Sequence, residues 1–222
     1  MRGVNIMYKT VIFDLDGTLL DTLADLHASV NAALSAFGLP SRSIEEVRSF
    51  VGNGIAKLIE RSIGNAEFPD FAGVLSVFKA HYGAHCKDKT KAYDGILPLL
   101  QTLQAAGVQT AVVSNKADFA VKLLAEEYFQ GLLLDAVGEN EAAGVRKKPA
   151  PDSLFAVMEK LGAKQADVVY VGDSEVDIQT AQNAGVPCIS VTWGFKDREF
   201  LLENGATLLV DTPSEILKIC GI

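Results

Sequence analysis

The chain has 222 residues, 49% of them hydrophobic, enough to bury the core of one large domain or of a domain carrying a smaller insertion. Its formal net charge of -8 argues against nucleic acid or an anionic membrane as the main partner, because both require a basic surface. No apolar run approaches the roughly 20 residues of a membrane span, and the opening MRGVNIMYKT lacks an apolar stretch long enough for a secretory signal, so the expected location is the cytoplasm.

The first element in chain order is a short strand at Val11, Ile12 and Phe13 that ends on two acids, Asp14 and Asp16, just before Gly17. At an effective dielectric of about 20, two unit charges about 4 Å apart repel by roughly 4 kcal/mol, so such a pair requires a cation between its members or a bound proton. A calcium loop also begins with alternating acids, but it needs an oxygen ligand and a glycine where Thr18 and Leu19 stand. Residues 43 to 88 read as helices only, opening on a capping box formed by Ser43 and Glu46. His81 and His85 have the spacing of a helical zinc pair, but no glutamate follows His81 and no third ligand is evident, so they read as a helix face.

From Tyr93 onward strands and helices alternate. Strands are predicted at 108–114, 132–137, 167–172, 187–192 and 207–210, with helices around 96–106, 117–128, 152–161, 175–184, 197–203 and 213–220. The last helix opens with a capping box, Thr212 and Glu215, and a proline at its first position. This alternation predicts an α/β fold: a doubly wound, Rossmann-like parallel sheet whose ligands bind outside the carboxyl ends of its strands. The cysteines Cys86, Cys188 and Cys220 form no Cys-x-x-Cys pair and read as reduced and structural.

Two further strands end in polar clusters: Ser114, Asn115 and Lys116 after one, Asp173, Ser174 and Asp177 after the other. Between them lies VRKKPAPD, a basic segment in an acidic chain. Helix caps and a solvated loop account for each feature taken singly. Together they place three acids, a lysine and a hydroxyl at one sheet edge. Such a set suits a hard cation such as magnesium, which binds few carboxylates together with waters and a substrate phosphate. A carboxylate such as Asp14 can also accept a phosphoryl group itself.

The segments DLDGTLLDT, SNK, KKPAP and VGDSEVD, in this order, resemble the four motifs of the haloacid dehalogenase superfamily over almost the whole chain. Within it the chain resembles phosphoglycolate phosphatases most, with VGNG at 51–54 and WGF at 193–195 in support. The resemblance implies a catalytic core of residues 1–20 and 91–222, with a small helical cap of residues 21–90 inserted after the first strand. It implies Asp14 as nucleophile and magnesium ligand, and Asp16 as acid/base lending its backbone carbonyl to the metal. Ser114 and Asn115 would bind the phosphoryl group, Lys148, rather than Lys147, would neutralise charge, and Asp173 would bind the metal with Asp177 supporting its waters.

The implied activity is magnesium-dependent hydrolysis of a small phosphorylated metabolite, 2-phosphoglycolate first, through an aspartyl phosphate. Asn53, Lys57 and Arg61 are candidates for substrate selection by the cap, the last two lying four apart on one predicted helix. The alternatives are a pyrophosphatase or sugar phosphatase, a phosphosugar mutase and a non-catalytic binding module. The mutases of this superfamily place a histidine twelve residues after the nucleophile; here Leu26 holds that position and His27 is one residue off.

Overall fold

The computed structural model describes residues 8–64, 70–140 and 144–222; the first seven residues of the opening segment, and part of the 43–88 region, lie outside them. The first half of the chain forms β1 (Thr10–Phe13), β2 (Leu20–Asp21), α1 (Leu23–Ala36), α2 (Ile44–Phe50), α3 (Ile55–Ile63), α4 (Phe71–His85) and β3 (Lys91–Ala92). The second half forms α5 (Ile96–Ala105), β4 (Gln109–Ala117), α6 (Asp118–Phe129), β5 (Asp135–Glu139), α7 (Asp152–Leu161), β6 (Val168–Gly172), α8 (Glu175–Ala184), β7 (Cys188–Val191), α9 (Arg198–Glu203), β8 (Leu209–Val210) and α10 (Pro213–Cys220).

Six strands form one sheet in the order β5-β4-β1-β6-β7-β8, and every pairing is parallel. Because side chains alternate across a strand, Val11 and Phe13 enter the core on one face, with Leu99 and Leu103 of α5 and Ile216 of α10. Ile12 enters the other face with Tyr170, Leu154 and Val157 of α7 and Ala181 of α8. Both faces are therefore covered, as an all-parallel sheet requires. From β1 the chain crosses to β4 and β5 on one side and later to β6, β7 and β8 on the other. The order reverses at β1, so the carboxyl ends of β1, β4 and β6 form the crevice where such sheets bind ligands. Among the described residues no helix is long and apolar enough to cross a membrane.

The capping box at Ser43 forms in both directions, Ser43 N to Glu46 Oε2 at 2.7 Å and Glu46 N to Ser43 Oγ at 3.2 Å. Two predicted strands are displaced. β4 runs on through Ser114, Asn115 and Lys116, whose polarity suggested a strand end, because each side chain finds a place in the site. β5 begins only at Asp135, since Leu132 and Leu133 pack against the core from the preceding turn. The pair β2 and β3, antiparallel through Leu20 with Ala92 and Asp21 with Lys91, is too short to leave a periodic signal.

Helices α1 to α4 lie in the chain between β2 and β3. Where the chain returns from α4, Asp25 of α1 holds it: the buried carboxylate accepts Thr90 N at 2.8 Å, Thr90 Oγ1 at 2.9 Å and Lys89 N at 3.0 Å. Asp25→Ala leaves these donors without an acceptor and should cost about 2–4 kcal/mol of unfolding free energy, read from urea midpoints. A loss under about 0.5 kcal/mol would show that packing alone holds this junction.

Candidate active site

The site is built on the ends of three adjacent strands. Asp14 follows β1 directly, its backbone N donating to Val171 O at 2.8 Å, so the ladder with β6 extends to it and its side chain is buried at the sheet edge. The chain then turns at Gly17, with φ 81°, where a Cβ would lie 2.2 Å from Asp173 Oδ2. Only glycine satisfies both the positive φ and the contact. On the far side Gly194 is held equally close, a Cβ there falling 2.4 Å from Asp173 Cβ, and Phe195 N donates to Asp173 Oδ2 at 2.7 Å. Asp173 is thus clamped between two loops, and its other oxygen faces Thr18 Oγ1 at 3.5 Å.

Lys148 reaches the same place from the loop before α7. Its backbone is fixed to β4 by a reciprocal pair, Lys148 N donating to Asn115 Oδ1 at 2.8 Å and Asn115 Nδ2 donating to Lys148 O at 3.0 Å. This pairing goes with the inward placement of Lys148, which is 3% exposed, whereas Lys147 is half-buried. The Lys148 ammonium donates to Asp177 Oδ1 at 2.7 Å and Tyr170 Oη at 3.0 Å, and lies 2.9 Å from Asp14 Oδ1 in an ion pair. Asp177 is oriented through its second oxygen, which accepts Ser174 Oγ at 2.7 Å and Ser174 N at 3.1 Å. The α8 cap is therefore also part of the site. Asp16 accepts Thr22 Oγ1 at 2.7 Å and Lys116 Nζ at 2.9 and 3.1 Å, and Lys116 lies over the Tyr82 ring of α4 at 4.6 Å from its centre.

Four carboxylates thus face two buried lysines. Burial is the largest influence on Asp14 and pushes it up to about 6, with Lys148 pulling down and Asp177 and Asp16 pushing up. Burial, then Asp177 and Asp14, hold Asp173 well above the usual carboxylate range. Burial alone would lower Lys148, but Asp14 and Asp177 outweigh it and keep the ammonium well above its ordinary value. The excess negative charge calls for a cation. Asp14, Asp173 and Asp177 each offer an oxygen within 4.8 Å of the others. Three hard oxygen donors brought together at one sheet edge fit a divalent metal.

The pocket over this cluster is lined by Asp14, Asp16, Ser114, Asn115, Lys116, Asp173 and Ser174 from the sheet edge and by Leu26, Val51, Gly52, Gly54, Ile55 and Leu58 from the helical side, with Phe195 and Lys196 beside them. The structure brings together Asp14, Asp16, Ser114, Asn115, Lys148, Asp173 and Asp177. It does not bring Lys57 or Arg61: Lys57 pairs with Glu60 on the exposed side of α3 at 2.8 Å, and Arg61 donates to Phe50 O at 2.9 Å. Spacing of four put them on one face, but the face toward the pocket carries Ile55 and Leu58. Asn53 sits between two pocket-lining glycines without lining the pocket itself. The Asn115 amide is spent on Lys148 O and, at 3.0 Å, on Gly52 O, so its side chain ties loops together and leaves no N–H for a phosphoryl group. Lys116, Thr22 and Tyr170 carry roles beyond those the motifs suggest; Lys116 stands two residues after Ser114, in phase with it along β4. Leu26 lines the pocket while His27 Nε2 lies 2.9 Å from Arg42 O, so no histidine stands at the mutase position.

The family profile of the haloacid dehalogenase-like hydrolases matches residues 11–191, and the chain belongs to that family. More narrowly, it is similar to the phosphoglycolate phosphatase of Pseudomonas syringae pv. syringae, 33% identical over 220 residues covering 96% of this chain and 79% of the relative. Phosphoglycolate phosphatase 1 of Pseudomonas aeruginosa is likewise 33% identical, over 94% of this chain and 78% of its own. A crystal structure of a provisionally named phosphoglycolate phosphatase from Lactobacillus delbrueckii subsp. bulgaricus superposes with a TM-score of 0.91 at 38% identity, covering 96% of this chain and 98% of the other. The chain is a phosphoric monoester hydrolase.

The raised Asp14 implies a pH dependence in metal-free protein. The folded state keeps this proton up to about pH 6, whereas the unfolded chain releases it near 3.8, so stability is full below that value and is lost as pH rises through 6. Asp14→Asn removes the cost. In excess chelator at pH 7.5 it should be more stable than wild type by on the order of 2 kcal/mol, with the difference vanishing toward pH 4. Parallel urea midpoints for the two proteins across that range would contradict the charge assignment.

Proposed function

We propose that this phosphatase hydrolyses 2-phosphoglycolate in the cytoplasm, with magnesium as its metal and Asp14 as the phosphoryl acceptor. The observation that carries the reading is the buried Asp14 carboxylate, ion-paired to the Lys148 ammonium at 2.9 Å inside a cluster of acids at the sheet edge. The similarity to curated phosphoglycolate phosphatases supports the substrate. Asp14, Asp173 and the Asp16 backbone carbonyl would hold the metal, with Asp177 supporting its waters; the ion would offset carboxylate charge and polarise the phosphoryl oxygens.

In the first step an Asp14 oxygen attacks phosphorus while the bond to the leaving oxygen breaks, and Asp16 supplies the proton that the departing alkoxide takes. Lys148 offsets charge between the nucleophile and the incoming phosphate, and Ser114 lines the place where the phosphoryl group sits. In the second step Asp16 takes a proton from a water that attacks the aspartyl phosphate, freeing phosphate and Asp14. Asp16 must leave Lys116 and Thr22 to reach the leaving oxygen. Residues 21–90 act as a cap over residues 1–20 and 91–222: Leu26, Val51, Ile55 and Leu58 close an apolar wall over the polar edge and keep bulk water from the acyl phosphate.

The test is turnover of 2-phosphoglycolate by purified protein. Activity should disappear in excess chelator and return with magnesium, but poorly with calcium, whose larger and looser shell disturbs in-line geometry. Full activity in excess chelator, or no turnover of this substrate with magnesium, would refute the proposal. Separately, Lys148→Ala should lower kcat/KM by at least about 10- to 100-fold, the worth of a charge-assisted contact, while Lys147→Ala should change it far less. The reverse ranking would show that the inward lysine in solution is not the one clasped by Asn115.

A further inference from the structure

Three lysines stand at or beneath the pocket, and they differ in what they face. Lys148 is committed to Asp14 and Asp177, and Lys116 to both oxygens of Asp16. Lys196 is half-buried and lines the same pocket, and among the described residues no carboxylate pairs with it. Its ammonium rests on the Phe200 ring, 5.2 Å from the centre, a weak hold that a long flexible side chain can exchange for an anion.

The backbone that carries Lys196 is fixed relative to the catalytic edge. Trp193 Nε1 donates to Thr18 O at 3.0 Å, Gly194 packs against Asp173 and Gly17, and Phe195 N donates to Asp173. Lys196 follows immediately, so its reach is measured from the same residue that anchors the acidic cluster. The opposite wall is apolar, and Lys57 and Arg61 are engaged elsewhere.

Charge balance gives this placement a purpose. When all four carboxylates are ionised, they and the two committed lysines leave two negative charges, which a divalent cation cancels. A substrate bearing a phosphate and a second anionic group then brings more negative charge than the floor of the site can meet. We propose that Lys196 receives the carboxylate of the leaving group and lets the site prefer a phosphorylated hydroxy acid over the phosphate of a neutral alcohol. This assignment rests on the phosphoglycolate reading of the same site.

The experiment measures kcat and KM for 2-phosphoglycolate and for 2-hydroxyethyl phosphate, which lacks the carboxylate, on wild type, Lys196→Ala, Lys196→Gln and Lys196→Arg. The ratio of kcat/KM between the two substrates should fall at least about tenfold in the alanine and glutamine variants, the lower end of the worth of a charged hydrogen bond. Most of the change should be in KM for phosphoglycolate, and arginine should retain most of the preference. An unchanged ratio in folded Lys196→Gln overturns the role of Lys196 while leaving the phosphoglycolate reading in place. A wild type with no preference for phosphoglycolate removes that reading, and this proposal with it.

Discussion

The ion pair between Lys148 and the buried Asp14 is the contact on which the rest of the site depends. Parallel strands bring Asp14 and Asp173 to adjacent strand ends, and the turn into α8 adds Asp177, far from bulk water. Left alone, such a cluster would take up protons. Lys148 prevents full neutralisation by pairing with Asp177 at 2.7 Å and with Asp14 at 2.9 Å. The charge that remains is a standing affinity for a cation and then for a phosphoryl group. The cost is borne by the fold, through the hydrophobic faces of β1 and β6 and the reciprocal Asn115–Lys148 clasp.

The same clasp connects the sheet edge to the helical segment. Asn115 donates to Gly52 O as well as to Lys148 O, so the loop between α2 and α3 is tied to the residue that positions Lys148. Lys116, the next residue, holds Asp16 and lies over Tyr82 of α4. Two consecutive side chains of β4 thus reach the helical segment, and the second of them also holds an acid. The helical segment is thereby tied to the residues that place Lys148 and Asp16.

How much of this was legible in the sequence follows from the physics of each element. The alternation of apolar runs and capped helices after Tyr93 announced the sheet, because burial on both faces leaves little choice of residue there. Asp14, Asp173 and the basic segment around Lys148 stood out because charge at the end of an apolar strand, or a basic loop in an acidic chain, is costly without a purpose, while the choice of Lys148 within that segment came from the family resemblance. Asn115 and Lys116 were harder to read, since their partners are 33 and 100 positions away in sequence and no local pattern records them. Lys57 and Arg61 misled for the converse reason: helical spacing fixes that two side chains share a face but says nothing about which neighbour that face meets. The β2–β3 pair and the Asp25 clamp, each built on a few contacts between residues far apart in sequence, left no periodic trace at all.

The central claim is that Asp14 accepts the phosphoryl group while Asp16 handles the protons. An amide at position 16 should slow hydrolysis of the acyl phosphate more than its formation from an aryl phosphate, whose leaving group scarcely needs protonation. The decisive measurement is hydroxylamine-labile phosphate on Asp16→Asn after a short pulse of labelled aryl phosphate with magnesium, with metal binding verified in the same sample. The account predicts close to one phosphate per chain, mapped to the peptide containing Asp14, little on wild type and none on Asp14→Asn. Covalent phosphate on Asp14→Asn, or wild-type turnover by metal-loaded Asp16→Asn, would contradict it.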